Sequence, residues 1–128
     1  MRFPKAPVAA PKADPRAIRM KTYAAQSGYV FQYFFAGEDH ANGARNYRFQ
    51  VSANRAAESA VRIEIPDVLL NEWQAGRHRQ LSPTECYAVA KMHLFATLDS
   101  DGFTLTDQAV APVTMDSLDS IAAALDLL

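Results

Sequence analysis

Four stretches of the chain predict strands: two of them, 46–52 and 61–65, alternate apolar and polar residues with a period of two, and residues 29–35 are aromatic or apolar on both faces, which suits a central strand. They cover residues 19–24, 29–35, 46–52 and 61–65. We therefore expect a mostly antiparallel sheet of about four strands. One face of this sheet is apolar. The other face is either solvated or an interface, and it carries Arg48, Gln50, Arg62 and Glu64.

Segments rich in turn-forming residues separate these strands. Gln26, Ser27 and Gly28 lie between the first and the second strand, and they predict a tight turn. The run GEDHANG, residues 37–43, combines two glycines with Asp and Asn, and it predicts a loop before the third strand. Residues 53–59 form a second loop before the fourth strand.

Two helices are predicted after the fourth strand. Pro66 ends that strand because it has no N–H to donate, and a short helix then extends to Trp73 and ends at Gly76. Ser82, Pro83 and Glu85 supply an N-cap, a first-turn proline and the acid of a capping box. These signals predict a second helix over residues 83–98.

The helix over residues 83–98 is apolar around most of its circumference, so two of its sides require burial. The sheet covers one side, and another helix must cover the second side. That helix comes either from this chain or from a second subunit, which makes a homo-oligomer a reasonable hypothesis.

The carboxyl-terminal third predicts a short strand over residues 103–106 and a final helix over residues 114–128. The final helix is amphipathic, and its charged residues are all acidic. It either packs on the core of its own domain or docks on a partner protein. The partner-binding residues of the second alternative are Leu118, Ile121 and Leu125.

The chain has 128 residues, of which 49% are hydrophobic and 21% are charged, so it suffices for one compact core. Residues 1–16 contain four of the seven prolines among alanines and basic residues, which is typical of an extended arm. We expect a basic Pro-rich arm over residues 1–16 and a single α+β domain over residues 17–128, with two to three helices on one face of the sheet.

The net charge of −1 conceals a strong asymmetry along the chain. Residues 1–21 contain six Lys or Arg and one Asp, whereas no Lys or Arg follows Lys91. Blocks of opposite charge steer association with a charged partner or with another copy of the same chain. The arm residues predicted to bind a partner are Arg2, Lys5, Lys12 and Arg16.

Compartment signals favour the cytosol. The single cysteine, Cys86, cannot form a disulfide within the chain. The amino-terminal residues lack the apolar run of a signal peptide, and no later run approaches the roughly 20 apolar residues of a membrane span. We expect a soluble cytoplasmic protein.

Candidate catalytic groups are few. Cys86 and His93 lie on one side of the predicted helix but are separated by roughly 10 Å of helical rise, which excludes a thiol and base in hydrogen-bond contact. His40, His78 and His93 do not follow metal-ligand spacing. We therefore predict no metal and no cofactor, and a buried structural role for Cys86.

The segment VRIEIPDVLLNEWQAGRHRQLSPTECYAVAKMHL, residues 61–94, resembles the ribbon-helix-helix DNA-binding proteins over about a quarter of the chain. In that family a strand is followed by a Pro-Asp or Pro-Glu, a helix, a turn and a Ser-x-x-Glu helix. The resemblance implies that Arg62 and Glu64 face the major groove and that residues 82–84 face phosphate.

We favour a small non-enzymatic binding or assembly protein that acts through protein–protein contacts of the arm, the apolar helix and the acidic helix. One alternative is the ribbon-helix-helix-like DNA-binding protein. A further alternative is a small enzyme with a loop-borne site at His40, together with Glu38 or Asp39.

Overall fold

The computed structural model describes residues 20–53, 57–100, 103, 105 and 108–127. Within these residues the chain forms a mixed sheet and three helices. The strands are β1 (Lys21–Ala24), β2 (Val30–Ala41), β3 (Ala44–Ala53), β4 (Ser59–Pro66) and β5 (Gln108–Pro112). The helices are α1 (Asp67–Arg77), α2 (Pro83–Asp99) and α3 (Met115–Ala124).

The five strands lie in the sheet in their chain order. β1 to β4 form an antiparallel meander, whereas β5 pairs in parallel with β4 after the chain has passed through α1 and α2. The predicted α+β fold with a mostly antiparallel sheet is confirmed, and β5 is the strand that the prediction of about four did not include.

The core lies between the helices and one face of the sheet. Cross-strand register places Tyr33 opposite Val51 and Phe49 opposite Val61 on this face. Phe49, Val51 and Val61 are completely buried. Burying an apolar side chain of this size contributes about 1.5–3 kcal/mol, so these central strands hold much of the stability.

Helix α2 begins at Pro83, as its capping signals predict. The Ser82 hydroxyl accepts from the Glu85 backbone N–H at 3.1 Å, and the Glu85 carboxylate accepts from the Ser82 backbone N–H at 2.8 Å. Its apolar side chains reach the sheet on one side and α3 on the other, so α3 of the same chain is the second helix that α2 required. The buried residues of α2 are Cys86, Val89, Ala90, Leu94 and Leu98.

The loop predicted over residues 37–43 is wrong in extent. β2 continues to Ala41 and β3 begins at Ala44, so only Asn42 and Gly43 form the turn. Both residues have positive φ, 56° and 72°, which is the backbone of a two-residue hairpin turn whose twist matches that of the strands. Pairing with β3 holds the polar residues before the turn in an extended strand.

Three further boundaries differ from the sequence prediction. α1 continues past Gly76 and ends at Arg77, because the next residue, His78, has a left-handed backbone with a φ of 53°. The predicted strand over 103–106 is wrong where it can be examined, because Phe103 and Leu105 lie outside any strand. The predicted end of the last helix is also too late, because α3 stops at Ala124.

Candidate functional site

The face of the sheet opposite the core is a surface that the described helices leave uncovered. The helices pack on the face that carries the core residues, whereas the alternate residues of β1 to β5 point to the other side. This uncovered face is polar at its centre. It carries Gln32, Arg48, Gln50, Arg62, Glu64 and Val110, together with Phe34, Asn46 and Ser52, which are each at most 7% exposed.

Two arginines lie opposite each other at the centre of the uncovered face. Arg48 of β3 is the register partner of Arg62 of β4. Like charges directly opposite each other on neighbouring strands are destabilising, so each guanidinium needs an acid. Arg48 donates to Asp39 of β2, and Arg62 forms an ion pair with Glu64, with Nη2 2.9 Å from Oε2.

These ion pairs are held by neighbouring side chains. The Asn46 amide donates to Asp39 at 3.0 Å, and this bond contributes most to lowering the pKa of Asp39. Burial opposes that shift, and the guanidiniums of Arg48 and Arg62 add to it. Asp39 is therefore a carboxylate at neutral pH and keeps Arg48 in place.

The position of Arg48 also depends on a glycine. The register of β2 against β3 shifts between Phe35 and Gly37, which marks a bulge. Gly37 has a φ of 148°, and a Cβ atom there would lie 2.7 Å from Nη2 of Arg48. The absent side chain at Gly37 leaves room for the guanidinium above the bulge.

A pocket of about 180 Å³ opens beside the two guanidiniums. Its polar wall is formed by Arg48 and Arg62, and its apolar wall includes Val110 of β5, which is 51% exposed. Nε of Arg62 is shielded from solvent and has no hydrogen-bond partner, although the Arg62 side chain as a whole is 43% exposed. The remaining lining residues are Ala60, Gln108 and Ala109.

The candidate thiol and histidine of α2 are both inside the domain. Cys86 is completely buried, and burial raises the pKa of its thiol, so it is a structural cysteine as predicted. Burial lowers the pKa of His93, and a hydrogen bond with the backbone of Pro112 opposes that shift. Nδ1 of His93 is buried and has no hydrogen-bond partner.

His40 lies at the rim of the sheet, one residue before the end of β2. Its Nε2 is 2.8 Å from Oδ2 and 2.9 Å from Oδ1 of Asp67, in the first turn of α1. The imidazole is 64% exposed and the Asp67 side chain 32% exposed. The pair joins the β2–β3 hairpin to the start of α1, and its two groups are open to solvent.

The predicted partner-binding residues are divided between two regions. Arg2, Lys5, Lys12 and Arg16 lie outside the described residues. Leu118 and Ile121 of α3 are buried in the core of their own domain, and Leu125 is half-buried at its edge. α3 thus packs on its own domain through the residues that a docking role would require.

The alternating pattern of β3 and β4 does point to Arg48 and Arg62 as residues of a polar face. The sequence offers no signal for their neighbours. Asp39 falls in the segment predicted as a loop, and Val110 falls in a strand that was not predicted. The pocket therefore depends on a parallel strand pairing that only the fold reveals, and on a hairpin whose one local signal is the Asn42-Gly43 pair.

Among the described residues, no three His, Cys, Asp or Glu side chains are grouped so that they could hold a metal ion. In the same part of the chain, no helix has the length and hydrophobicity required to cross a membrane. Comparisons of the sequence with protein-family models and with curated proteins, and of the fold with solved structures, gave no match.

Proposed function

We propose that this protein is a small non-enzymatic binding or assembly protein that acts through protein–protein contacts. The observation that carries the proposal is the uncovered face of the sheet, which presents paired arginines and carboxylates on a rigid five-stranded support. The basic amino-terminal arm is its second contact region. Partner proteins include further copies of the same chain.

The dimensions of the uncovered face support this role. Five strands spaced about 4.8 Å apart and about eight residues long present a projected area of about 600 Å². One partner in a standard protein–protein interface contributes about 800 Å² of accessible surface, which is a similar size. Exposed apolar residues, Val30 on β2 and Val110 on β5, lie towards opposite sides of the face and can contribute apolar contacts.

The burial of α2 and α3 supports a contact region elsewhere on the domain. α2 is covered by the sheet and by α3, and α3 in turn places Leu118 and Ile121 in the core. These helices have little apolar surface left for a partner. The contacts are therefore assigned to the sheet face and to the arm, whose four basic residues and one Asp give a net charge of +3 that steers acidic partners towards the domain.

The alternatives receive less support. In ribbon-helix-helix proteins the strand before the first helix pairs with the same strand of a second subunit, whereas β4 already pairs with β3 on one edge and β5 on the other. His40 is paired with Asp67 at an exposed rim rather than in a cleft. A cytosolic setting belongs to the proposal, because the one cysteine is a buried thiol that needs no oxidising compartment.

Light scattering after size exclusion tests the assembly form of this proposal. We expect the full chain to exceed its 14.1 kDa monomer mass at low salt and to lose mass at high salt. A variant with Arg2, Lys5, Lys12 and Arg16 replaced by Gln should associate more weakly. A monomer under all conditions would exclude self-assembly and restrict the proposal to foreign partners.

A further inference from the structure

We propose that a pocket between the β1–β2 turn and the carboxyl end of α2 binds a small organic ammonium ion with an apolar body. The inference goes beyond the proposed protein-binding function, because this pocket lies on the helix side of the sheet rather than on its uncovered face. We call it the turn pocket, and its lining includes Gln26, Tyr29, Phe31, Leu98, Asp99 and Ser100.

The size and the walls of the turn pocket suit a small molecule. Its volume of about 390 Å³ is within the roughly 300–1,000 Å³ of pockets that hold such ligands. One wall is the turn, in which the Ala25 N–H donates to the Tyr29 carbonyl at 2.9 Å and the Gly28 N–H donates to the Ala25 carbonyl at 3.0 Å. The other wall is the end of α2, which Asp99 bonds to the turn. Both walls are therefore held in place before a ligand arrives.

The negative charge of the turn pocket comes from Asp99. Its Oδ1 accepts from the Gln26 backbone N–H at 2.9 Å, and its Oδ2 accepts from the Tyr23 hydroxyl. Both donors are neutral, so they orient the carboxylate without balancing its charge. Within the described part of the chain no basic side chain forms an ion pair with Asp99. A carboxylate has about four lone-pair sites, so these two bonds leave acceptor capacity for an ammonium group.

The end of α2 adds to this negative potential. The carbonyl groups at the carboxyl end of a helix carry the partial negative charge of its macrodipole, which favours a cation nearby. Lys, Arg or His often supplies that cation, but α2 has no basic residue in its last turn. No Lys or Arg follows Lys91 in the sequence, so the segment after the helix adds none. A cationic ligand would complement both Asp99 and the helix end.

Aromatic rings beside the carboxylate determine which cation fits. Tyr29 is 56% exposed, and the centroid of its ring lies 6.3 Å from that of Phe31. Ring faces attract organic cations, and rings and Leu98 offer apolar surface to the body of the ligand. A calcium ion takes roughly six or more oxygen ligands, whereas one carboxylate beside aromatic rings suits an organic ammonium ion.

The direct test is a titration of the full chain with phenethylammonium at pH 7, followed by the backbone amide NMR signals. Phenethyl alcohol, which is neutral, and phenylacetate, which is anionic, have similar shapes and serve as controls. We expect phenethylammonium to shift the amide signals of residues 26–31 and 98–100 to saturation. Phenethyl alcohol should bind about tenfold more weakly, which is the effect of losing one charged hydrogen bond. Phenylacetate should leave these signals unchanged.

A lysine side chain of another protein would present the same ammonium group. Nα-acetyl-lysine methylamide represents that source in the same titration. We expect it to bind more weakly than phenethylammonium, because its aliphatic chain has no ring to pack against Tyr29 and Phe31.

Variants locate the binding. Asp99→Asn removes the charge with little change of shape, so it should weaken phenethylammonium binding about tenfold and leave phenethyl alcohol binding unchanged. Tyr29→Ala removes the exposed ring and should weaken the binding of both molecules. The matched control Asp116→Asn removes an exposed acid of α3 outside the pocket, and it should keep the native affinity. Amide spectra establish that each variant is folded. If Asp99→Asn does not fold, Tyr29→Ala decides the test, because its side chain is exposed.

The possible results are separable. Saturating shifts around the turn pocket that Asp99→Asn and Tyr29→Ala weaken would support the proposal. An absence of shifts with phenethylammonium, equal binding of phenethyl alcohol, or native affinity in these variants would overturn it. Tighter binding of the lysine derivative would also overturn it, because the pocket would then contact a protein. Failure of the proposal leaves the protein-binding function standing, since that function is tested at the sheet face and the arm.

Discussion

Single polar side chains join parts of this domain that are distant in sequence. Nε1 of Trp73 donates to Asp119 at 2.8 Å across 46 residues, and the Tyr23 hydroxyl donates to Asp99 across 76 residues. Sequence patterns of period two or 3.6 identify the buried face of an element, but they carry no information on such pairs. The ion pairs of the candidate site are local by comparison, because Arg48 and Asp39 face each other across the β2–β3 hairpin and Arg62 and Glu64 are two residues apart on β4.

Tyr23 offers a test of one such bond. Its hydrogen bond to Asp99, with burial and the charge of Asp99 as smaller causes, raises the pKa of Tyr23 to about 12. Tyr23→Phe should keep the stacking on Phe95, where the ring centroids are 4.2 Å apart, and lose the bond. We expect the free energy of unfolding to fall by about 1 kcal/mol in urea denaturation at pH 7.

The same variant predicts a pH dependence. Because the pKa of Tyr23 is higher in the folded state than the ordinary value of 10.0, the bond stabilises fully below pH 10. Its contribution is lost as pH rises towards 12, so the native protein and Tyr23→Phe should converge. Tyr29→Phe, at a 56% exposed tyrosine, is the matched control. A constant difference across this range would contradict the assignment.

For His93 we expect the opposite pH dependence of the free energy of unfolding, with stability lost at acid pH. Burial lowers its pKa below 6.5, so the unfolded chain binds a proton more readily than the folded chain. The stabilisation that depends on a neutral His93 is fully present above pH 6.5 and is lost as pH falls below that value. His93→Gln should therefore flatten the fall in the free energy of unfolding between pH 7 and pH 5. His78→Gln serves as an exposed control, and equal slopes in native protein and His93→Gln would refute the effect.

At the scale of elements, the capping residues predicted where α2 begins, whereas the extent of a strand could not be predicted without knowing the strand that it pairs with. The start of α2 follows from four adjacent residues, 82–85, and the structure has the same capping box. The extent of β2 depends on pairing with β3, which overrides the low strand propensity of Gly, Glu, Asp and Asn. The Asn42-Gly43 pair was the local signal that identifies this hairpin turn.

β5 shows why parallel pairing escapes sequence reasoning. Its residues QAVAP include only one β-branched side chain, and its register partner for Ala109 is Val61, which lies 48 residues earlier. A strand of this kind is defined by the strand beside it rather than by its own composition. Val110 in the apolar wall of the candidate pocket could not be predicted for the same reason, because it lies on β5.

The packing of α3 provides a prediction at this scale. Leu118 is completely buried, whereas Leu125 is half-buried after the helix ends. Leu118→Ala should lower the free energy of unfolding by about 2–5 kcal/mol because it leaves a cavity in the core. Leu125→Ala should cost less. Chemical denaturation measures both, and a native-like stability of Leu118→Ala would mean that α3 does not pack on its own domain.

At the scale of the whole molecule, the domain has two unlike faces. The helices cover the apolar face of the sheet, and among the described residues the other face presents two arginines with their acids. The alternation of β3 and β4 predicts this division directly. The partner that the polar face meets is not encoded in that pattern, because solvated faces and interface faces share the same composition.

The central claim is that the uncovered face is a contact surface, and sedimentation equilibrium over a range of protein concentrations tests it most directly. The comparison uses the full native chain, the double variant Arg48→Gln with Arg62→Gln, and the control Arg45→Gln. We predict that the native chain and the control associate with rising concentration at low salt, whereas the double variant remains closer to the monomer. A double variant that associates as strongly as an associating native chain would contradict the claim, and three monomers would exclude self-assembly through this face.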